Sequence, residues 1–262
     1  MIFSVESTLD KHLLATEEPR PPDGYWHPSA IFSCERQAVY EKRGVPQSNE
    51  RDARSRRILK LGSTLHEIVQ KALADDANAR AVYNEVRVEI PGLKTRGSLD
   101  SLLEFSDDEY ELLELKSISA SGFKYGGMPK PEHVKQARTY AMALMRYGGV
   151  AGTLDAADRL MTFATIPPLG NKLKRVRMVY FSRDDLTMRE FTQYEGQPIL
   201  PTQEWMDDLE GKIALLDAYM EDGTALPPRL PLDEKGKLNW LCRDYCLWRT
   251  RCFGIDPEGV EL

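Results

Sequence analysis

The sequence predicts a single α/β domain, in which a mixed central sheet is flanked by helices. Apolar residues recur at helical spacing before residue 80, and between 82 and 117 they alternate with polar residues. A further helical pattern separates these strands from later ones, and no stretch of linker composition interrupts the run. The 262 residues are enough to bury a sizeable core without disulfide or metal staples.

The N-terminal part is predicted to be helical. A first helix is expected at about Thr8–Ala15, and a second one after Pro28, with Ser29 as its N-cap and Gly44 as its stop. A longer helix follows an arginine-rich segment. Its apolar residues at helical spacing are Ile58, Leu61, Leu65, Ile68, Val69 and Ala72.

Three strands are predicted in the middle of the chain from period-two alternation. The first covers Val82–Ile90 and ends at a Pro-Gly turn. The second, Leu99–Phe105, and the third, Tyr110–Ser117, are separated by a short loop at Ser106–Glu109. These two strands are therefore expected to form a hairpin.

The later elements are predicted by the same rules. The glycine-rich stretch Ser121–Gly127 predicts a mobile loop, and Thr202 is expected to cap a long helix that stops at Gly223. The other predicted elements are a helix at about Glu132–Tyr147, strands at Leu160–Ile166, Arg175–Phe181 and Met188–Tyr194, and a cysteine-rich tail.

The charge balance excludes some classes of protein. The chain has 35 Lys and Arg residues against 41 Asp and Glu residues, a net charge of −6, which argues against a uniformly basic surface but permits a local basic cleft. No apolar stretch approaches the roughly 18 residues of a membrane-spanning helix. No signal-peptide pattern is visible at the N-terminus. We therefore expect a soluble, cytoplasmic protein without a membrane partner.

The hairpin contains the most informative residues, namely Asp100 on its first strand and Glu114-Leu115-Lys116 on its second. Two carboxylates on one sheet face provide the hard oxygen ligands that Mg²⁺ and Mn²⁺ prefer. Lys116 shares that face with Glu114, because side chains on a strand repeat every two residues. Its ammonium group can orient a water molecule and offset phosphate charge. The alternative is a solvated strand face with no chemistry.

The register of the hairpin tests this interpretation, because cross-strand partners point to the same face. If Phe105 pairs with Tyr110, Asp100 faces away from both charged residues of the motif. An odd-length connection or a bulge instead places Asp100 opposite Glu114 or Lys116. We therefore predict an odd-length connection or a bulge in this hairpin.

Polar residues on the neighbouring helices complete the candidate site. His66 lies within the long apolar helix, where a neutral imidazole can complete a metal shell, although a lone histidine is more often a packed or surface residue. Gln136 and Tyr140 lie four residues apart on the helix after the hairpin and so share one face. Their amide and phenol groups can hold a phosphate or a base.

Taken together, these residues resemble the RecB-like branch of the PD-(D/E)XK nuclease superfamily. The likeness extends over about 28–253 and is greatest for the iron–sulfur members, which include AddB-type nucleases and the CRISPR-associated Cas-four exonucleases. The residues that carry it are His66, Asp100, Glu114-x-Lys116, Gln136-x-x-x-Tyr140, and the cysteines Cys34, Cys242, Cys246 and Cys252.

The resemblance implies a restriction-endonuclease-like core and a Mg²⁺- or Mn²⁺-dependent exonuclease. It makes Asp100 and Glu114 metal ligands, joined by His66 and the carbonyl of Leu115. It implies that Lys116 positions or activates the attacking water. The helical part 28–80, the nuclease core 81–200 and the tail 201–262 would together form one domain.

The resemblance also implies contacts with DNA, made by Gln136 and Tyr140 near the scissile phosphate. Glu85, on the strand before Asp100, is either an accessory acid or an exposed strand residue. The chain departs from the superfamily's name at one position, since Leu99 rather than proline precedes Asp100.

The four cysteines are unevenly distributed, because three lie close together near the C-terminus and Cys34 lies 208 positions before the first of them. Four thiolates can bind zinc or an iron–sulfur cluster, and free thiols or disulfides are the remaining alternatives. The resemblance implies a four-iron four-sulfur cluster that joins the two ends of the domain. Nearby aromatic residues predict packing around the bound group or a stacking surface for single-stranded DNA: Trp240, Tyr245, Trp248 and Phe253.

Basic residues form local clusters in spite of the negative net charge, and two of the clusters flank predicted site residues. This distribution predicts a basic channel for DNA on an acidic protein. The clusters are Arg51, Arg54, Arg56, Arg57 and Lys60; Lys124, Lys130, Lys135 and Arg138; and Lys172, Lys174, Arg175 and Arg177.

The expected function is hydrolysis of DNA at single strands or free ends, in recombination, repair, or CRISPR or phage DNA processing. Partner proteins of such a complex are expected as well. One alternative is a catalytically weak protein on the same fold that binds DNA ends or assembles a complex. A zinc-stabilised protein without a nucleic-acid role is a further alternative.

Overall fold

The structure, a computed structural model, describes residues 4–15, 22–76, 78–154, 160–232 and 234–254. The helices are α1 (Val5–Ala15), α2 (Pro28–Ile31), α3 (Glu35–Lys42), α4 (Ala53–Asp76), α5 (Ala120–Tyr125), α6 (Pro131–Tyr147), α7 (Gln203–Asp222), α8 (Trp240–Tyr245) and α9 (Arg249–Phe253). The strands are β1 (Ala81–Ile90), β2 (Thr95–Ser106), β3 (Glu109–Ile118), β4 (Gly149–Leu154), β5 (Leu160–Ile166), β6 (Leu173–Ser182), β7 (Met188–Phe191), β8 (Gln193–Tyr194) and β9 (Gln197–Pro198).

The chain is divided into two compact units, which we call the sheet unit and the helical unit. The sheet unit consists of residues 25–33 and 64–215, and the helical unit consists of 1–24, 34–63 and 216–262. The prediction of a single domain stays a prediction. Within the described ranges, none of the helices is both long and apolar enough to cross a membrane.

A seven-stranded mixed sheet forms the centre of the sheet unit, so the predicted α/β class with a mixed central sheet is confirmed. The strand order is β5-β4-β1-β2-β3-β6-β7. β3 and β6 are parallel, whereas the other paired strands of this sheet are antiparallel. The parallel pair is possible because α5, α6, β4 and β5 lie between β3 and β6 in the sequence and provide a long crossover.

Helices cover both faces of this sheet, as consecutive residues of β3 show. Leu115 packs with Leu65 and Val69 of α4 in a buried apolar cluster. Lys116, which points to the opposite face of the strand, donates a hydrogen bond to Gln136 of α6. The part of α4 within this unit and α6 therefore lie on opposite faces.

The second predicted helix is wrong in its start and in its continuity. His27 rather than Ser29 is the N-cap of α2, because Pro28 takes the first helical position, where a missing N–H is harmless. The chain then leaves helical geometry before α3, with Cys34 in an extended conformation at φ −152°. The predicted stop is confirmed, since Gly44 has a φ of +63° just after α3.

The glycine-rich stretch predicted as a mobile loop contains a short helix, α5, so this prediction is corrected. The hydroxyl of Ser119 caps α5 by accepting a hydrogen bond from the backbone N–H of Gly122 at 3.2 Å. Strand β4 was also not predicted, because its sequence Gly-Val-Ala-Gly-Thr-Leu has no clear alternation.

The helical unit is held together by contacts between sequence-distant stretches. Trp248 donates a hydrogen bond from Nε1 to the carbonyl of Val45 at 2.9 Å, and its ring centroid lies 6.0 Å from that of Tyr40. The carbonyl of Leu247 accepts hydrogen bonds from the backbone N–H groups of Ser48 and Asn49. The C-terminal stretch therefore completes the packing of α3 and the segment that follows it.

Candidate active site

The predicted bulge exists, and it gives the hairpin the register that the site requires. Glu104 pairs with Tyr110 and Ser106 pairs with Glu109, so Phe105 is the extra residue of a β-bulge. The ladder ends with Ser101 opposite Leu113, and continuing this register places Asp100 opposite Glu114. The register prediction is therefore confirmed.

Asp100 is positioned by bonds to both of its carboxylate oxygens. Its Oδ2 accepts a hydrogen bond from the backbone N–H of Leu115 at 2.6 Å, and its Oδ1 lies 3.2 Å from Nδ1 of His66 on α4. The side chain of Asp100 therefore bridges β2 and β3 just beyond the point where their backbone pairing ends. The structure thus brings His66 and Asp100 together, as the sequence suggested.

Glu114 and Lys116 form an ion pair in the interior of the site. The Nζ of Lys116 donates to Oε1 of Glu114 at 2.7 Å and to Oε1 of Gln136 at 3.1 Å. Glu114 is buried, and its other carboxylate oxygen, Oε2, has no hydrogen-bond partner among the described residues. A buried oxygen of this kind costs free energy unless a ligand or cation satisfies it.

Burial dominates the electrostatics of this pair. Burial raises the pKa of Glu114 to about 8, the Lys116 ammonium opposes the shift, and the negative charge of Asp100 adds to it. Burial lowers the pKa of Lys116, but the carboxylates of Glu114 and Asp100 outweigh that effect and raise this pKa above its ordinary value. Burial and Asp100 thus disfavour the charged form of Glu114, and a cation next to this carboxyl would favour its ionisation.

Gln136 and Tyr140 lie behind Lys116 on α6. The amide nitrogen of Gln136 donates to the hydroxyl of Tyr140 at 3.1 Å, and both side chains are buried. Burial raises the pKa of Tyr140, so its hydroxyl stays protonated. A Cβ at Gly97 would lie 2.6 Å from Cε1 of Tyr140, which explains the glycine at this point of β2. Gln136 therefore holds Lys116 through its amide oxygen and is itself held by Tyr140.

A third acid, Glu85, extends the row of carboxylates onto β1. The pairs Asn84–Ser101 and Val86–Leu99 place Glu85 opposite Asp100, and Glu85 has a positive φ of 50°. The side chain of Gln70 on α4 donates to Oε1 of Glu85 at 2.9 Å and to the carbonyl of Asp100 at 2.8 Å. Gln70 was not predicted, because a glutamine on a helix carries no signal of its own.

The chemistry of the donor set fits a hard divalent cation. The donor set consists of two carboxylates, one of which has an unpartnered buried oxygen, and an imidazole, and such groups can bind Mg²⁺ or Mn²⁺. Within the part of the chain that the structure describes, no three His, Cys, Asp or Glu side chains are already arranged as a metal cage. Oε1 of Glu114 and both oxygens of Asp100 instead bond to neighbouring groups of the protein, so a metal would have to replace some of these bonds.

The four cysteines lie in one region of the helical unit, and all four are free thiols. Cys242 interacts electrostatically with the other three, and Cys34 interacts with Cys252. The pKa of Cys242 is raised to about 12, mainly because the thiol is buried and to a smaller extent because of the neighbouring thiols. Thiolates in such a place need a compensating positive charge, which a metal or cluster supplies.

The aromatic residues near these cysteines do not behave alike. Trp248 is buried and packs with Tyr40, Leu247 and Cys252, which agrees with the packing interpretation. Trp240 is about half exposed, and its ring contacts that of Tyr245 edge-on at 5.8 Å.

One of the three basic clusters is engaged by acidic residues. Arg175 and Arg177 both donate to the buried carboxylate of Glu111, at 2.9 and 2.5 Å, and Arg177 also pairs with Glu190 at 2.5 Å. Their charge is therefore largely balanced within the protein. This cluster is the one that does not flank predicted site residues, and the basic channel predicted from the other two stays a prediction.

Comparison with known proteins gives little guidance. No protein-family model matches the chain, and no curated protein matches it. The chain is similar to the solved crystal structure of SSO0001, with 15% sequence identity and a TM-score of 0.48, over 97% of this chain and 95% of that one. The functional assignment of this chain therefore depends on the geometry of its own site.

Proposed function

We propose that this chain is a Mg²⁺- or Mn²⁺-dependent deoxyribonuclease of the RecB-like PD-(D/E)XK type, which hydrolyses phosphodiester bonds at single-stranded DNA ends. One observation carries the proposal. Asp100, Glu114 and Lys116 converge on one face of a hairpin, and the Oε2 of Glu114 is buried there without a partner among the described residues.

The proposed ligands of the catalytic cation are Asp100, Glu114, His66 and the main-chain carbonyl of Leu115. A divalent cation at such a site stabilises negative charge on a phosphate and lowers the pKa of a bound water. The bond between His66 and Asp100, 3.2 Å long, already aims the imidazole and carboxylate at each other. A metal held by both groups would replace this bond, with the two side chains already next to each other.

The protein's own contribution to the reaction centres on Lys116. Its ammonium stays protonated beside two carboxylates, so it is suited to orient a water for attack and to offset charge on the phosphate. The 3.1 Å bond to Gln136, itself bonded to Tyr140, fixes the direction of the ammonium group. Gln136 and Tyr140 are thus positioning residues in this proposal.

The test is digestion of end-labelled single- and double-stranded DNA with Mg²⁺ or Mn²⁺. We expect the wild type to degrade single strands from their ends, and Lys116→Ala and Asp100→Asn to lose at least 100-fold in rate, the scale of one positioned catalytic group. Asp108→Asn, in the exposed turn of the same hairpin, is the matched control and should retain activity.

Metal binding can be measured separately from cleavage. Manganese titration followed by paramagnetic resonance should show a site in the wild type that Glu114→Gln weakens. Equal cleavage by Lys116→Ala and the wild type would contradict the catalytic assignment. Binding of DNA ends without any cleavage would favour the alternative of an assembly protein. This alternative has support in the structure, because Asp100 and Glu114 are already bonded to other groups of the protein.

We further propose that Cys34, Cys242, Cys246 and Cys252 hold a four-iron four-sulfur cluster. Their mutual electrostatic interaction and burial support one shared site, and zinc is the competing occupant. Protein purified without oxygen should contain about four iron and four sulfide ions per chain and absorb visible light. Zinc without iron, or metal content unchanged in Cys252→Ser, would refute this proposal.

Recombination, repair, and CRISPR or phage DNA processing are the proposed settings, with partner proteins of such complexes.

A further inference from the structure

A patch of aromatic and basic side chains lies on the side of α6 that faces away from the sheet. Phe32, just after α2, and Trp205, on α7, have ring centroids 5.8 Å apart with a 45° angle between the rings. Both rings line a cavity of about 280 Å³, together with Lys135 of α6 and Lys212 of α7. We call this group, with Arg138, the Phe32–Trp205 patch.

Positive charge surrounds the two rings. The guanidinium of Arg138 lies 5.8 Å from the centroid of Trp205, and Nζ of Lys212 lies 5.9 Å from that of Phe32. These distances are near the limit of about 6 Å for a cation–π contact, so a ligand ring can replace the cation at small cost. Asp208 is the one acidic residue among those that line the cavity.

Arg138 keeps its charge available because main-chain oxygens, not acids, hold its side chain. Its Nε donates to the carbonyl of Ile199 at 3.2 Å, and its Nη2 lies 3.4 Å from the carbonyl of Pro198. Arg175 and Arg177 differ in this respect, since carboxylates bind both of them. The patch is thus a place where fixed positive charge can meet an anionic ligand.

The indole of Trp205 gives a second indication. Its Nε1 is buried and has no hydrogen-bond partner among the described residues. The ring is therefore held in place by aromatic and cationic contacts, and its face is the part of it that can contact a ligand. Tryptophans at structural positions usually satisfy this N–H, so its lack of a partner is consistent with a binding role.

The patch lies close to the proposed active site because both use α6. Lys135 is adjacent in sequence to Gln136, and Arg138 lies between Gln136 and Tyr140. The two sets of side chains point to different sides of one helix, so they are separated by roughly one helix diameter, about 10–12 Å.

We propose that the Phe32–Trp205 patch binds the bases and phosphates of single-stranded DNA a few nucleotides from the bond that is cut. Unpaired bases stack on aromatic rings while their phosphates meet cations, and the patch offers both. Duplex DNA is a poorer ligand for the patch, because its base faces are stacked on one another. An acidic peptide has no bases to stack on the rings. This inference rests on the proposed nuclease function, to which it adds a separate binding subsite for the strand.

The test is binding of a short oligodeoxythymidylate, without added divalent cations so that no strand is cut, followed by tryptophan fluorescence. We expect the DNA to quench the wild-type fluorescence. Trp205→Leu should lose most of the quenching and bind about 5- to 150-fold more weakly, which corresponds to ~1–3 kcal/mol of base–aromatic stacking. Trp205→Phe should retain most of the affinity while losing the signal, which separates stacking from misfolding.

Charge variants provide the matched comparison. Lys212→Gln should weaken binding and reduce the slope of log affinity against log salt by about 0.7, the value for one phosphate contact on a single strand. Lys71→Gln, which removes one exposed lysine from α4 of the same unit, should leave the slope unchanged. An abasic strand of the same length should bind more weakly than the oligodeoxythymidylate.

The outcomes distinguish this inference from the nuclease proposal. If Lys116-dependent cleavage occurs but Trp205 and Lys212 variants bind like the wild type, the patch is refuted and the nuclease is not. If the variants bind weakly but no protein cleaves, the patch stands and catalysis is refuted. Equal affinity for the abasic strand or for polyglutamate would show unspecific charge attraction and would overturn the inference.

Discussion

At the scale of single residues, the candidate site is built from side chains that fix one another. Lys116 is held by Glu114 and Gln136, and Asp100 is held by the backbone of Leu115 and by His66. Such mutual bonding pre-organises a site at the cost of leaving one buried oxygen unsatisfied. Substitutions at close contacts should therefore disturb the site more than their size suggests.

Gly97→Ala tests the close approach of β2 to Tyr140. The new Cβ would lie 2.6 Å from the ring, so we expect a loss of about 1–3 kcal/mol in unfolding free energy and a drop in activity. Gly92→Ala, whose Cβ would meet nothing within 4 Å, is the control. Urea denaturation measures both variants. In a Tyr140→Ala background the cost of Gly97→Ala should fall, and additive costs would contradict the steric account.

His133 should make stability depend on pH. Its Nδ1 lies 2.8 Å from the hydroxyl of Tyr180, which already accepts a bond from the backbone N–H of Lys130 and so donates to a neutral imidazole. Burial, helped by the charges of Lys116 and Lys130, lowers the pKa of His133 from 6.5 to about 3.

The sign of the effect follows from proton binding. Between pH 6.5 and 3 the unfolded chain binds a proton at His133 that the folded chain does not, so this stability is complete above pH 6.5 and is lost on acidification. The wild type should lose up to about 1.4 kcal/mol per pH unit more than His133→Gln in that window. Urea titrations at several pH values measure the difference, and parallel profiles would contradict the prediction.

At the scale of elements, period-two alternation predicted β1, β2 and β3. Burial alternates along the second half of β1, whereas the central residues of β2 and β3 are buried on both faces of the sheet. The break between α2 and α3 could not be predicted, since residues 32–34 contain neither glycine nor proline and the turn is set by packing. Helix α5 has one local signal in the sequence, Ser119, whose hydroxyl accepts a hydrogen bond from the backbone N–H of Gly122.

That Asp100, Glu114 and Lys116 come together in the candidate site could be predicted, for a physical reason. Charged residues within an otherwise half-buried strand need a partner. Because side chains on a strand repeat every two residues, the sequence shows which of these charged residues share a face. The bulge at Phe105 followed from the same constraint rather than from any turn signal. Gln70 and the Phe32–Trp205 patch were not predictable, because they depend on how helices far apart in sequence pack.

Helix α7 offers a test of capping. Thr202 was predicted as its N-cap, and its hydroxyl accepts a hydrogen bond from the backbone N–H of Trp205 at 3.2 Å. Thr202→Ala should lower the unfolding free energy by about 1 kcal/mol, since one helix N–H loses its acceptor. Thr202→Ser, which keeps the hydroxyl, should stay close to the wild type in the same thermal or urea melts. A full loss in the serine variant would point to the methyl group instead.

At the scale of the whole molecule, the net charge of −6 and the local positive charge have different consequences. A protein with a basic surface binds DNA through many phosphates, and its affinity falls steeply with salt. This chain should use few phosphates. With Lys135, Arg138 and Lys212 as the main contacts, we predict a log–log salt slope of about −2 for single-stranded DNA. Fluorescence anisotropy over a salt series measures it, and a slope several times steeper would reveal a wider basic surface.

The helical unit is assembled from stretches that lie far apart in the sequence, and this has a consequence for biosynthesis. Its N-terminal stretches, including Tyr40 and Cys34, leave the ribosome early, but Trp248 and the other three cysteines belong to its last stretch. The roughly 150 residues translated in between take about 8–30 s at ordinary elongation rates. During that interval α3 has an incomplete apolar partner and one thiol of four. Nascent chains are therefore expected to depend on chaperones at this stage, and the cysteine site can be loaded only after the stretch that carries the other three cysteines has been translated.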